Sequence, residues 1–331
     1  MTIRYSLVLP IYNEAEVLPL LFNRLDALLA VMDGETEVVL VNDGSRDSSL
    51  KQMREKAKAD KRYRIYNLSR NFGHQIAITA GMDAAQGEAV VVMDADLQDP
   101  PEVVLQMIAK WKEGFSVVSA KRVEREGESV FKRATAAIFY RVLQRMSPVQ
   151  FEMDVGDFRL LDRAVIDAFK TMREQDRFVR GMISWLGFEQ TTVEFVRAER
   201  AAGETKYPLF KMLKLAADGI LGFSDVPLRA ALWVGTLVSV LAVFYGLFVI
   251  GGWFFSGEAV AGWTSTVVTL AFLGGINLMM TGIVGLYVGR IHNQVKNRPL
   301  YVLDAASQVR EAGDATVPIA EVPGRVIKMS S

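Results

Sequence analysis

Val90-Val91-Val92-Met93-Asp94-Ala95-Asp96-Leu97-Gln98-Asp99-Pro100-Pro101-Glu102 decides the fold. A short, mostly β-branched apolar run that stops abruptly at carboxylates reads as a buried strand ending at an exposed edge. Pro100-Pro101 suits the first turn of a following helix, where a missing N–H costs nothing. Strand, acidic turn and helix in that order form the repeating unit of an α/β sheet.

The same unit recurs along the first 120 residues. Tyr5–Pro10, Glu37–Val41, Arg64–Leu68, Ala89–Met93 and Ser116–Ala120 are short apolar runs. Between them lie Leu18–Met32, Asp47–Ala59, Gln75–Ala85 and Glu102–Lys112, with helical period or composition. Such alternation predicts a mostly parallel, Rossmann-like sheet with helices on both faces and its site beyond the carboxyl ends of the strands. Polar clusters stand at four of those ends: Tyr12-Asn13-Glu14, Asn42-Asp43-Gly44-Ser45, Ser69-Arg70-Asn71-Phe72-Gly73 and the acidic Asp94–Asp99 turn. Neither a G-x-G-x-x-G after the first strand nor a P-loop is present, so any nucleotide is held by other means.

The chain has 331 residues, with 38 Lys+Arg balancing 38 Asp+Glu. That balance argues against binding to nucleic acid through overall positive charge. With no cysteine and two histidines, His74 and His292, thiol nucleophiles and zinc–thiolate sites are excluded. His74 follows the Arg70–Gly73 motif and reads as structural, with contact to a phosphate as the alternative, and His292 reads as a juxtamembrane polar residue. Residues 230–289 carry one formally charged side chain, Glu258. Two runs within them, 230–255 and 263–288, exceed the roughly 20 residues needed to cross a bilayer. Trp233, Trp253, Trp263 and Tyr287 lie near their ends, as interfacial aromatics do. Gly282, Gly285 and Gly289 offer small faces for helix packing, and Asn277 is a candidate interhelical hydrogen-bonding residue. Arg229 precedes the first run, and Arg290, Lys296 and Arg298 follow the second. The positive-inside rule then predicts both polar parts on the cytoplasmic side of a multi-pass inner-membrane protein.

Asp94-x-Asp96 can converge on a hard cation, and oxygen ligands without His or Cys suit Mg²⁺ or Mn²⁺. A solvated acidic turn is the plain alternative. Val130–Met146 and Pro208–Phe223 have the spacing of amphipathic helices lying on a membrane surface, the first with Lys132, Arg133, Arg141 and Arg145 around its apolar face. Asp154 and Asp157 straddle Gly156 in a stretch read as having little regular period, and a helix-capping role for Asp157 stands as an alternative. The segment after Arg298 reads as an extended or partly disordered end.

Pro10-Ile11-Tyr12-Asn13-Glu14, Asn42-Asp43-Gly44-Ser45, Ser69–Gly73, Asp94-Ala95-Asp96-Leu97-Gln98 and Gly156-Asp157-Phe158-Arg159 together resemble family 2 glycosyltransferases of GT-A fold. Within these, the chain is similar to the polyprenyl-phosphate glycosyltransferases of the dolichol-phosphate-mannose-synthase group, and to bacterial members that glucosylate undecaprenyl phosphate. The resemblance implies a base and ribose pocket lined by Pro10, Tyr12 and Glu14, with Asp43 hydrogen-bonding the base and Arg70 and Asp94 at the nucleotide sugar. It implies a metal held by Asp94, Asp96 and Gln98, and Asp157 facing the acceptor as base or orienting group. Arg122 and Arg133 are candidates for the acceptor phosphate. Arg200 and Lys206, in a segment resembling R-x-x-G-x-[ST]-K, complete the phosphate-binding set. Asn42 departs from the pattern, since many relatives have a second Asp there.

The organisation expected is a GT-A domain over 1–207, a juxtamembrane helix over 208–228, two spans within 229–290, and a cytoplasmic tail over 291–331. The expected reaction is inverting transfer of one sugar from a nucleotide sugar to a polyprenyl phosphate, with UDP-glucose the first choice of donor and a homo-oligomer, a tetramer, implied by the resemblance. A processive polysaccharide synthase is the rival enzyme, but the chain has no Q-x-x-R-W. A non-catalytic nucleotide-sugar-binding scaffold is the rival of another class.

Overall fold

The computed structural model describes residues 2–122, 155–196, 226–256 and 262–304. Arg133, Asp154, Arg200, Lys206, both expected interfacial helices and the tail from 305 lie outside the described residues.

Seven strands form one sheet: β1 Tyr5–Ile11, β2 Thr36–Asn42, β3 Tyr63–Asn67, β4 Ala89–Val92, β5 Val117–Arg122, β6 Val155–Asp162 and β7 Gln190–Phe195. Their order is β3-β2-β1-β4-β6-β5-β7. Every neighbouring pair is parallel except the two made by β6, which runs antiparallel to both β4 and β5. The sheet is therefore mostly parallel, as the strand–helix alternation predicts.

Helices cover both faces. On one face lie α1 (Leu18–Val31), α2 (Ser49–Ala59) and α4 (Val103–Lys112). Leu18, Leu21, Phe22, Leu25, Leu28 and Leu29 of α1 recur at helical spacing and are buried with Tyr5, Leu7 and Leu9 of β1. On the other face lie α3 (His74–Ala84), α5 (Arg163–Thr171) and α6 (Val179–Trp185), packed over Val8, Val39 and Val41. Gly81 brings α3 down onto β1, because a Cβ there would stand 2.2 Å from Val8 Cγ1.

Pro10 shows where the cleft opens. A central strand disfavours proline, which donates nothing to the ladder. In β1, however, Val8 O accepts from Met93 N while Ile11 O accepts from Asp43 N, so main-chain groups point alternately to β4 and β2. Pro10 shares Val8's side, and the β1–β4 pairing ends at Val8–Val92. Its missing N–H faces the place where β4 has already left the sheet. Pro10 is thus buried within β1.

Strand β6 corrects the sequence reading of residues 155–157. Asp157, Phe158, Arg159 and Leu160 alternate polar and apolar, which is the period of a strand. The run is short and its polar members are charged, so it read as irregular. Phe158 and Leu160 enter one core layer, and the Phe158 ring meets Phe195 of β7 edge-on at 5.9 Å.

Two long helices follow, α7 Val226–Ser256 and α8 Trp263–Val295. Both include windows long and apolar enough to cross a bilayer, with mean hydropathy 2.0 and 1.7, and no part of either window is buried within the chain. Leu232, Phe244, Phe248, Phe272 and Leu278 are all more than half exposed. Apolar surface on that scale calls for lipid or another apolar partner. A Cβ added at Gly282, Gly285 or Gly289 meets nothing within 4 Å, so the small-residue face is not used against α7, and Asn277 is exposed. Helix α8 runs seven residues past the expected end at 288, carrying Arg290 and His292 on its last turns.

The segment beyond α8 also departs from expectation. Leu303 forms an antiparallel bridge with Leu68, Ser69 N donates to Val302 O (2.8 Å), and Asp304 N donates to Asn67 O (2.9 Å). Tyr301–Asp304 therefore straps the β3 edge of the sheet instead of trailing away. Tyr301 Oη reaches Asp83 Oδ2 at 3.0 Å. Gln175 N donates to Gln294 Oε1 (2.9 Å), and its side-chain amide donates to Arg298 O (2.6 Å).

Gly81→Ala is expected to destabilise the sheet domain by about 1–3 kcal/mol, because the added methyl has no room beside a β-branched valine. A thermal melt of the purified protein checks this, and an unchanged midpoint contradicts the close packing of α3 on β1.

Candidate active site

Four chain segments meet at the carboxyl ends of β1, β2, β3 and β4. Strand β6 adds a fifth because it runs backwards: its first residues lie where β4 and β5 end, with Arg159 opposite Val92 and Val155 opposite Lys121. Asp157 is thereby set beside Asp94 despite the distance between them in sequence.

Asp157 is buried, and its carboxylate is held on three sides. Arg180 of α6 donates from Nε to Oδ1 (2.7 Å) and from Nη2 to Oδ2 (3.2 Å). Gln75 Nε2 donates to Oδ2 at 3.1 Å, and its other amide atom accepts from Val179 N at 2.9 Å, joining α3 to α6. His74 Nε2 stands 3.5 Å from Asp157 Oδ2 and 3.4 Å from Asp94 Oδ1. Burial alone would raise Asp157, but His74 and Arg180 outweigh it and hold the carboxyl far below the usual carboxylate range. Burial works against charge on His74 too, yet the Asp157 and Asp94 carboxylates raise it above the ordinary imidazole value.

The acidic turn alternates. Ala95, Leu97 and Asp99 are buried, whereas Asp94, Asp96 and Gln98 keep partial exposure. Leu97 takes φ 61°, an uncommon value for an apolar residue, and buries its side chain in the core. Gln98 N donates to Asp96 Oδ1 at 3.0 Å. Asp94 Oδ1 is buried and accepts no hydrogen bond. Burial and the neighbouring Asp157 and Asp96 raise the Asp94 carboxyl, while burial and Asp94 push Asp99 up to about 7. Among the described residues, no group of three His, Asp or Glu side chains forms a ready-made metal cage. Crowded, partly exposed carboxylates with an oxygen lacking a donor still fit a hard cation that takes its other ligands from phosphate and water.

The remaining candidates fall into three places. Tyr12 stands exposed at the end of β1, 44% accessible. Next to it Asn13 (φ 56°) donates its N–H to Ser45 Oγ and accepts from Arg46 N, and Glu14 N donates to Ser49 Oγ. Asp43 is buried, accepting from Phe72 N (2.7 Å) and Gly73 N (3.0 Å). Its carboxylate thus organises the Ser69–Gly73 loop that starts α3. Gly44 has φ 69° and would place a Cβ 2.5 Å from Asn71 N, so this loop crossing needs glycine. Arg70 lies at the rim with its guanidinium 4.0 Å from the Phe72 ring centre. Arg122 sits beside Gly156, and its charge lowers Asp99.

Arg180, Gln75 and Asp99 are functional candidates to which the sequence reading assigned no role. His74 and Gln75 follow the Ser69–Gly73 cluster directly, so their place at the start of a helix on the active edge was a usable signal. Arg180 gave none, since it sits in a charged stretch and on a helix of seven residues.

A family model described as glycosyl transferase family 2 matches residues 6–169, which takes in the strand ends and Asp157. The chain belongs to glycosyl transferase family 2, and its sheet is the GT-A architecture that the motifs implied. "Uncharacterized glycosyltransferase YkcC" of Bacillus subtilis is 50% identical over 301 residues, covering 91% of this chain and 93% of that protein. "Bactoprenol glucosyl transferase" of Shigella phage SfII is 39% identical, with 91% of this chain and 97% of that protein covered. "Prophage bactoprenol glucosyl transferase homolog" of Escherichia coli is also 39% identical, over 91% and 98%. The chain is therefore a glycosyltransferase.

Arg180→Gln removes the fork that fixes Asp157 and is expected to lower kcat for sugar transfer about 10- to 100-fold. Arg180→Lys, which keeps the charge without the paired donors, should fall between it and wild type in initial-rate assays.

Proposed function

We propose that this protein transfers a single glucosyl unit from UDP-glucose to a polyprenyl phosphate, undecaprenyl phosphate, at the cytoplasmic membrane face. The observation that carries this reading is similarity over nearly the whole length of proteins named bactoprenol glucosyl transferase, apolar helices included. The catalytic domain spans 1–207, with interfacial and membrane segments after it. Basic Arg229, Arg290, Lys296 and Arg298 flank the two spans, which supports both termini on the cytoplasmic side. A homo-oligomer, a tetramer, completes the reading.

The acceptor phosphate oxygen attacks the anomeric carbon from the face opposite the nucleoside diphosphate, so one C–O bond forms as another breaks and the configuration inverts. No enzyme nucleophile is needed. A phosphate monoester is already anionic near neutral pH, and Asp157 is held ionised by Arg180 and His74, which makes it a weak base. Its contribution is orientation: together with Arg180 and His74 it fixes charges of both signs at the point where acceptor and donor meet. Tyr12, Glu14 and the Asp43–Ser45 loop form the wall for base and ribose, with Pro10 behind it and Arg70 at the rim. Arg122, joined by Arg133, Arg200 and Lys206, serves the phosphates. Asp94 and Asp96, with Gln98, would hold Mg²⁺ or Mn²⁺, which supplies positive charge against the departing diphosphate.

Incubating the purified protein with radiolabelled UDP-glucose and undecaprenyl phosphate should yield a lipid-linked monosaccharide; a polymer or no product rejects the reading. Chelation should abolish transfer and either cation restore it. Asp96→Ala is expected to lose at least about 100-fold in rate, and full activity in this variant with metal present removes the cation from the reading.

A further inference from the structure

We propose that Asp304, in the strap that follows the second membrane helix, is a positioning residue for the donor-nucleotide loop. This inference rests on the reading of Asn42–Ser45 as part of the UDP-sugar site. Asp304 Oδ2 accepts from Asn67 Nδ2 at 3.0 Å. Asn67 Oδ1 accepts from Asn42 Nδ2 at 2.6 Å, and Asn42 Oδ1 accepts from Ser45 N at 3.3 Å. Ser45 Oγ in turn accepts from Asn13 N beside Tyr12. Asn42 and Asn67 are buried.

The polarity of this chain is set from one end. A carboxylate accepts and never donates, whereas each asparagine amide has one donating and one accepting end. Asp304 therefore forces Asn67 to turn its NH₂ outward and its carbonyl oxygen inward. Asn42 must then meet that oxygen with its own NH₂, leaving its oxygen for the Ser45 N–H. Without the terminal acceptor both amides can turn over, which sets the Asn42 NH₂ against the Ser45 N–H and loosens the loop between Asp43 and Asn13. The strap is pinned independently by the Leu68–Leu303 bridge and by Tyr301 on Asp83, so the carboxylate is delivered at a fixed place.

The same logic predicts a compensating pair. Asn42→Asp puts an acceptor-only group on the inner side of Asn67, whose single NH₂ cannot serve carboxylates at both ends. Adding Asp304→Asn supplies a donor at the outer end, and the whole chain can reverse while the Ser45 N–H keeps an oxygen to bind.

The experiment uses the full chain in detergent, with UDP-glucose and undecaprenyl phosphate varied separately. Asp304→Ala and Asn42→Asp are each expected to raise KM for UDP-glucose about fivefold or more with the acceptor KM unchanged, coupling of the size found between groups of one network. Asp304→Asn alone, which still offers an accepting oxygen, should stay within about twofold of wild type, and the Asn42→Asp/Asp304→Asn double variant should recover to the same range. Thermal midpoints of the four proteins read the same cycle without any reaction: Asn42→Asp lowers the midpoint and the second substitution restores it. Additive effects in the cycle, an Asn42→Asp protein that Asp304→Asn does not rescue, or equal movement of both KM values overturns the proposal. Absence of transfer by the wild-type protein instead counts against UDP-glucose transfer itself, and the melting cycle then still decides the hydrogen-bonded chain.

Discussion

The Asp157–Arg180 pair depends on a single reversal of chain direction, and most of the site depends on that pair. Burying a carboxylate in the middle of a sheet is costly unless charge and hydrogen bonds answer it. Arg180, Gln75 and His74 answer it from α6 and α3, and they can do so only because β6 enters between β4 and β5 from the opposite end. A parallel β6 would place its first residues at the far edge of the sheet and leave Asp94 facing open space. Burial and neighbouring carboxylates of the acidic turn explain why Asp94 and Asp99 resist ionisation, and for Asp94 the reversal adds Asp157 to those neighbours.

The membrane imposes the other constraint. Within their apolar windows both long helices are exposed, so those stretches do not rest against the sheet domain. Polar contacts join the two parts on the last turns of α8, at Arg290 and Gln294, and beyond it at Arg298 and along the β3 edge. Each half of the protein can then stay in its own solvent.

Much of this was legible in the sequence. The first five strands and four helices appear within about two residues of where apolar runs placed them, because buried parallel strands are nearly continuous in Val, Ile and Leu. The strand-end clusters converged as the topology requires. What stayed hidden was set by tertiary contact. Strand β6 carries Asp157 and Arg159 on one face, so a core strand looked like a loop. Asp43 also accepts from the Phe72 and Gly73 N–H groups, contacts that no local pattern announces. Arg180 finds Asp157 on a strand that itself looked like a loop, and the strap at Tyr301–Asp304 depends on partners more than two hundred residues away, so period or composition cannot reveal such pairs.

Helix α8 passes from the apolar window into the polar contacts at Gln294 without a break. Each residue of an α-helix advances about 1.5 Å and turns about 100°, so the number of residues between bilayer and Gln294 fixes both the height and the compass bearing of the cleft. The second span is in this sense a gauge: one residue more or fewer would turn and shift the sheet domain relative to the apolar stretch while leaving every contact inside that domain intact.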